Sequence, residues 1–196
     1  VYVYIDRDDN ADSVCYKVDR VGKPTAISGF NCLVKWRNYS DHIRTGRYAI
    51  HSGDNVFRVF NRIYKGHQEP LNFTVGSVRT LDKLARSVGK QLMIDSAEVA
   101  NMMNDSVFRE KLGYTKETLP SLFIPETYQV YWNISVNEFF DRMKKEHDKF
   151  WNSDRMAKAK EMELTPAEVS TMASIVEEET NNNQEKNNKL QQQYNN

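Results

Sequence analysis

Thr165-Pro166-Ala167-Glu168-Val169-Ser170-Thr171-Met172-Ala173-Ser174-Ile175-Val176-Glu177-Glu178-Glu179-Thr180 is the strongest helix signal in the chain. Thr165 with Glu168 three residues on is a capping-box pattern, and Pro166 falls at the first helical position, where its missing N–H costs nothing. The helix is expected to run to about Thr180. Val169, Met172, Ala173, Ile175 and Val176 share one apolar face. Three acids close the helix, although carboxylates are mildly disfavoured at its negative end. The simplest reading is a solvated helix end. At about 100° per residue, Glu179 lies roughly 50° from the centre of the apolar face, Glu177 roughly 110° and Glu178 roughly 150°. Only Glu179 leans onto the apolar side. A carboxyl covered by apolar neighbours has its charged form disfavoured and keeps its proton nearer neutrality, as a general acid must.

Working back from this helix, Ser135-Val136-Asn137-Glu138 is another capping box, with Val136, Phe139, Phe140, Met143, Phe150 and Trp151 on one face. Leu119 to Tyr128 is bounded by Pro120 and Pro125 and excludes a regular helix, because proline lacks the donor and restricts its predecessor. Short helices are expected from Ser96 to Met103 and from Asp105 to Leu112. Leu81, Leu84, Ala85 and Val88 mark another, stopped at Gly89. Leu71 to Val75 reads as a strand. Asp54 is expected to cap a helix carrying Val56, Val59, Phe60 and Ile63, which ends at Gly66. A turn at Gly46 leads into a strand, Val1 to Ile5 alternates as a strand, and a short helix precedes Val18. Phe30 to Trp36 is an apolar run of either type.

The fold class this predicts is α+β. Residues 1–70 form a small mixed unit and 71–196 a mostly helical one. In Asn181 to Asn196, seven Asn and four Gln leave almost nothing apolar, so that end is expected to be disordered or poorly ordered.

Composition excludes more than it selects. The 196 residues carry 27 Lys+Arg and 27 Asp+Glu, so the electrostatic footprint of a nucleic-acid binder is missing. No apolar run approaches the roughly 18 residues needed to span a bilayer. Cys15 and Cys32 are too few for a disulfide framework and read as two small buried thiols, with a single pair in an oxidising compartment as the alternative. His42, His51, His67 and His147 are scattered without metal-ligand spacing, so no metal and no cofactor are expected. Phosphate-binding glycine loops and G-x-S-x-G are absent from the sequence.

Thr171 to Thr180, with its Ala173-Ser174-Ile175-Val176-Glu177-Glu178-Glu179-Thr180 core, resembles the signature helix of the endolytic murein (peptidoglycan) transglycosylases, the YceG-like family. In that family the pattern is close to "ASIVEKET", and the Glu before the Thr is catalytic, which here is Glu179. Leu122-Phe123-Ile124-Pro125-Glu126-Thr127-Tyr128 resembles the family's "LFPDTY". Arg44-Thr45-Gly46-Arg47-Tyr48 is similar to its "kaGtYr" stretch, and Thr74 to Thr80 matches a further segment weakly. The family's "NRL" helix and "LQsDPTV" strand are not found after Glu185-Lys186, so the catalytic domain reads as incomplete.

The resemblance implies a LysM-like subdomain over 1–70 and a partial catalytic domain over 71–196. It implies a lyase acting on glycan strands, with Glu179 as acid then base and Phe123, Glu126, Thr127 and Tyr128 lining the groove. It also implies an extracytoplasmic location behind an N-terminal membrane span not in this chain. The implied partners are peptidoglycan strands and the cell-wall synthases. Trp36, Tyr39 and Tyr48 are candidates for stacking on sugars in the front unit. The alternative is a non-catalytic glycan-binding or scaffold module of the envelope. A weaker one is a helical interaction domain whose acids are merely solvated.

Overall fold

The computed structural model describes residues 1–22, 24–76 and 80–194, and of 24–27 and 181–194 the backbone alone. Of the weakly matching stretch 74–80, residues 77–79 lie outside the described part, as do the last two residues of the Asn/Gln-rich end.

The chain forms two compact units that interleave in sequence, one comprising Val1–Thr74, Ala85–Val99 and Thr127–Val136, the other the remainder. A single cut at residue 70 therefore leaves out two segments that rejoin the first unit. Thr127–Val136 rejoins it by strand pairing with Leu71–Thr74, and Ala85–Val99 by hydrogen bonds between Gln91 and Thr74 and from the Met93 N–H to the Trp132 carbonyl.

In the first unit β1 (Tyr2–Ile5) pairs antiparallel with β2 (Gly46–Ala49), with Tyr4 opposite Arg47. Between them run α1 (Ala11–Asp19) and α2 (Pro24–Trp36), and α3 (Val56–Lys65) follows. The undecided apolar run at Phe30 is thus helical. Val3 and Ile5 turn inward with Val14, Val18, Phe30, Val34, Val59, Phe60 and Ile63 to make one core. Tyr39 and Tyr48 belong to that core and are fully buried. They are not free to stack on a sugar, which corrects the expectation for both. The Tyr48 hydroxyl donates to the Arg44 carbonyl at 2.9 Å, and burial pushes its phenol up to about 12. Gly46 sits at φ 152°, and a Cβ there would meet Gln68 Oε1 at 2.8 Å, so only glycine fits this turn.

Asn55, rather than Asp54, caps α3, its Oδ1 accepting the Arg58 N–H at 2.9 Å. Asp54 instead receives Arg62 Nη1 at 2.6 Å and the His51 N–H at 2.9 Å. Arg62 also donates to the Ala49 carbonyl at 2.6 Å, tying α3 to β2. A charged partner about two turns down the helix outcompetes local capping, because its bond to the carboxylate is charge-assisted. Cys15 is half-buried and Cys32 exposed, both as free thiols, so only the first approaches the buried pair expected.

β3 (Leu71–Thr74) pairs antiparallel with β4 (Thr127–Val130), Phe73 lying opposite Tyr128. Gln91, in the last turn of α4 (Leu81–Gln91), holds this pair by accepting from Thr74 N at 3.1 Å and donating to Thr74 O at 3.2 Å. Gly89 does not stop that helix. A Cβ there would stand 3.0 Å from Ser96 Cβ and 3.1 Å from its N, so the glycine serves close approach of the following loop.

The second unit contains α6 (Ser106–Leu112), the proline-bounded segment, α7 (Val136–Phe150), α8 (Ser153–Glu161) and α9 (Pro166–Tyr194); α5 (Ser96–Asn104) spans the junction. Leu119–Leu122 is a single 3-10 turn, as its prolines dictate. Phe123 then stacks on Phe139 (centroids 6.4 Å, 21°) and meets Phe140 edge-on at 6.0 Å. A break at Trp151 and Asn152 starts α8, where Asn152 Oδ1 accepts the Arg155 N–H at 3.0 Å. The backbone of α9 is helical past Thr180 to Tyr194. No glycine or proline follows Pro166, and lengthening a nucleated helix adds a hydrogen bond for each residue it orders.

Two outcomes follow. Phe139→Ala removes a fully buried ring of this cluster and is expected to cost about 3–5 kcal/mol, read by chemical denaturation. Arg62 and the His51 N–H hold the Asp54 carboxyl at about 2, below its unfolded value near 4. A depressed acid stabilises the fold fully above the unfolded value, and that contribution drains away between about pH 4 and pH 2. Thermal unfolding across that range should fall more steeply in the parent than in Asp54→Asn. Parallel curves would show that the pair contributes nothing.

Candidate functional site

The quoted helix begins as its sequence requires. Thr165 N–H and Oγ1 both donate to Glu168 Oε2 at 2.8 Å, and Glu168 N–H approaches Thr165 Oγ1 at 3.3 Å. This box sets the start of α9 and so which of its side chains face α8 and the proline segment. Between these three elements lies a cavity of about 380 Å³. Phe123, Ile124, Phe150, Trp151, Met162 and Val169 supply its apolar wall. Ser170 and Ser174 of α9 face it too, together with Glu117, Glu177, Arg155 and Lys158.

The cavity's polar groups are unevenly held. Arg155 lies over the Phe150 ring at 4.1 Å and donates Nη1 to the Phe150 carbonyl at 2.7 Å, which fixes the guanidinium at the rim. The Trp151 indole Nε1 is buried with no hydrogen-bond partner among the described residues. Trp151 is backed by His147, whose ring centre lies 6.5 Å away. Burial lowers the His147 imidazole, partly offset by Asp148, and the Tyr114 hydroxyl sits 3.2 Å from its Nε2.

The expected site residues divide. Phe123 is buried and lines the cavity. Glu126 is exposed, and its carbonyl accepts the Val75 N–H at 2.9 Å. Thr127 and Tyr128 lie on β4 in the first unit, Thr127 exposed with Oγ1 3.0 Å from Thr74 Oγ1, and Tyr128 buried.

Glu179 is exposed and is not part of the cavity wall. The apolar side chains that were to cover it, Met172, Ile175 and Val176, are 54%, 58% and 64% exposed. The cover that the wheel invoked for Glu179 is absent among the described residues. Glu177 faces the cavity instead. Arg155 and Lys158 went unnoticed in the sequence, although Asn152-Ser153-Asp154 is a capping signal that would have placed them on a separate helix.

Comparison with known proteins decides the family. A family model described as the YceG-like family matches residues 3–188. The chain belongs to the YceG-like family. A solved YceG-like protein from Listeria monocytogenes is similar at 18% identity and a TM-score of 0.48, over 85% of this chain and 60% of that one. The chain thus spans about three-fifths of the length of that relative. No curated protein matches it. YceG-like proteins are cell-envelope proteins, and among the described residues of this member no helix is long and apolar enough to cross a membrane.

Since the cap positions the whole cavity-facing side of α9, Thr165→Ala is expected to destabilise the protein by about 0.5–2 kcal/mol. Urea unfolding measures it, and an unchanged midpoint would mean that packing alone sets the helix start.

Proposed function

We propose that this protein is the extracytoplasmic part of an endolytic murein transglycosylase, cutting the β-1,4 bond between N-acetylmuramic acid and N-acetylglucosamine within peptidoglycan strands. The observation that carries this is the family match over residues 3–188, within which α9 bears the Ala173–Thr180 signature. Glu179 gives its proton to the bridging oxygen as the C1–O bond breaks. The substrate's own N-acetyl group stabilises the positive charge left at C1. The Glu179 carboxylate then takes the proton of the C6 hydroxyl, whose oxygen closes onto C1 as a 1,6-anhydro ring. The glutamic acid is regenerated, no water is consumed, and one carboxyl serves both steps.

An exposed Glu179 fits this scheme on one condition. Its desolvation, and so its ability to hold a proton, would come from the bound glycan rather than from this chain's own side chains. Phe123 and Glu126, both in the second unit, line the proposed substrate groove, and residues 1–70 form the LysM-like subdomain. An N-terminal membrane span and contact with cell-wall synthases belong to the same reading. The same exposure favours the rival, a non-catalytic glycan-binding or scaffold module of the envelope, for which Glu179 needs no cover at all.

The two readings separate on a digest of purified peptidoglycan by the full-length parent protein and its Glu179→Gln variant, with products read by mass spectrometry. Anhydro-ended fragments from the parent, reduced at least a hundred-fold in the variant, are expected if one carboxyl does both steps (about 10²–10⁴-fold for a lost acid–base group). Hydrated reducing ends would mean a hydrolase. Intact strands that nonetheless retain both proteins would leave the binding module.

A further inference from the structure

The cavity between the proline segment, α8 and α9 takes no part in the proton transfers proposed for Glu179. Glu177 faces it, and at about 100° per residue Glu179 stands roughly 160° round the helix from Glu177. What the cavity holds is therefore something other than the bond being cut.

Its polar groups are of both kinds. The donors are the Trp151 indole Nε1, buried without a partner, the Arg155 guanidinium, fixed over Phe150, and the Lys158 ammonium one turn further along α8. Among the described residues the Lys158 ammonium pairs with no carboxylate, and the Glu177 carboxylate with no cation. The Ser170 and Ser174 hydroxyls donate within α9, to the Pro166 carbonyl at 2.9 Å and the Ser170 carbonyl at 3.0 Å. Their oxygens keep lone pairs for a donor in the cavity.

Charges of both signs thus stand around an apolar wall that includes Phe150, Met162 and Val169. A neutral amino sugar would leave Lys158 and Glu177 without counter-ions. An acyl chain would leave the indole N–H unpaired as well, and a polyanion would meet Glu117 and Glu177. A short peptide answers each group: a carboxylate for the two cations, an amine for Glu177, carbonyl oxygens for the buried N–H, and small side chains for the wall. A buried donor gains most from an acceptor that reaches it, because its desolvation is already complete. The volume of about 380 Å³ lies within the roughly 300–1,000 Å³ usual for small-ligand pockets.

We propose that this cavity is a peptide pocket for the short peptides that hang from the peptidoglycan strand. Arg155 and Lys158 take the peptide's carboxylate, Glu177 its amine, and Trp151 Nε1 donates to one of its carbonyls. The proposal rests on the reading of the protein as one that acts on such strands. Its consequence is selectivity, since stretches that carry peptides are held and stripped stretches are not.

Isothermal titration calorimetry of the full-length protein with the synthetic tetrapeptide L-alanyl-γ-D-glutamyl-L-lysyl-D-alanine tests this, in the Glu179→Gln background. Lys158→Ala and Trp151→Phe, the second keeping a ring but losing the N–H, are each expected to weaken binding about three- to ten-fold, as the loss of one hydrogen bond or charge would. Lys160→Ala, on α8 but off the cavity wall, should bind as the parent does. Soluble strands that carry peptides should displace the tetrapeptide, and the same strands stripped by an amidase should not. No heat of binding, equal affinity of the Lys158→Ala variant with the parent, or equal displacement by stripped strands would each overturn the pocket. Anhydro-ended products from the parent, assayed separately, tell the two proposals apart: their formation without tetrapeptide binding overturns the pocket alone, and tetrapeptide binding without them overturns the lyase alone.

Discussion

A two-stranded sheet four residues long cannot hold itself together in water, and the first unit is organised by the need to cover one face of such a pair. Val3 and Ile5 present that face, and α1, α2 and α3 bring Val14, Val18, Phe30, Val34, Val59, Phe60 and Ile63 onto it. The tyrosines follow from the same constraint. Tyr48 alternates inward from β2 and must send its hydroxyl somewhere, which the Arg44 carbonyl provides. Tyr2 and Tyr4 alternate outward, and their exposure is the other half of the same period of two. What faces inward on the strand is core, and what faces outward meets water and neighbouring side chains.

The second unit solves its problem with rings rather than strands. Phe123 has no regular structure to fix it, because the prolines on either side forbid a helix. Its position comes from stacking on Phe139 and edge contact with Phe140, both presented by α7. That contact brings the proline segment to the side of α9 and α8, and the cavity is the space left between them. The placing of the proline segment beside α9 therefore depends on this aromatic cluster. The chemistry proposed for α9 depends on an exposed face of that helix, where a bound strand rather than the protein would supply the cover that an acid catalyst needs.

The two halves of the proposed activity ask for different surfaces. A cut made within a strand needs one carboxyl in a desolvated spot, whereas staying on the strand needs weak, repeated contacts that let go. A near-neutral chain is suited to this, because long-range attraction to a charged polymer is not what holds it in place.

Elements set by local rules were readable from residues alone: the capping box that starts α9, the glycine that ends α3, the proline-imposed turn at Leu119–Leu122, the alternation of β1. Each depends on neighbours within about four positions, and those are on the page in any sequence. The resemblance in Ala173–Thr180 and in the proline segment was equally visible, and family membership followed the same residues. Where reading failed, a distant partner had intervened. Asp54 gave up its capping role to Arg62, Gly89 answered to Ser96, and Tyr39 and Tyr48 went to the core because helices closed over them. Glu179 shows the limit most sharply: its angle on the helix was computable from 3.6 residues per turn, but whether anything covers it is a property of the neighbours. Sequence by itself determined the family, the α+β class and the direction in which each side chain leaves its element, because periodicity and capping are local. Only the tertiary structure decided which of those directions meet another surface and which meet water, because burial is a relation between segments that the chain order does not state.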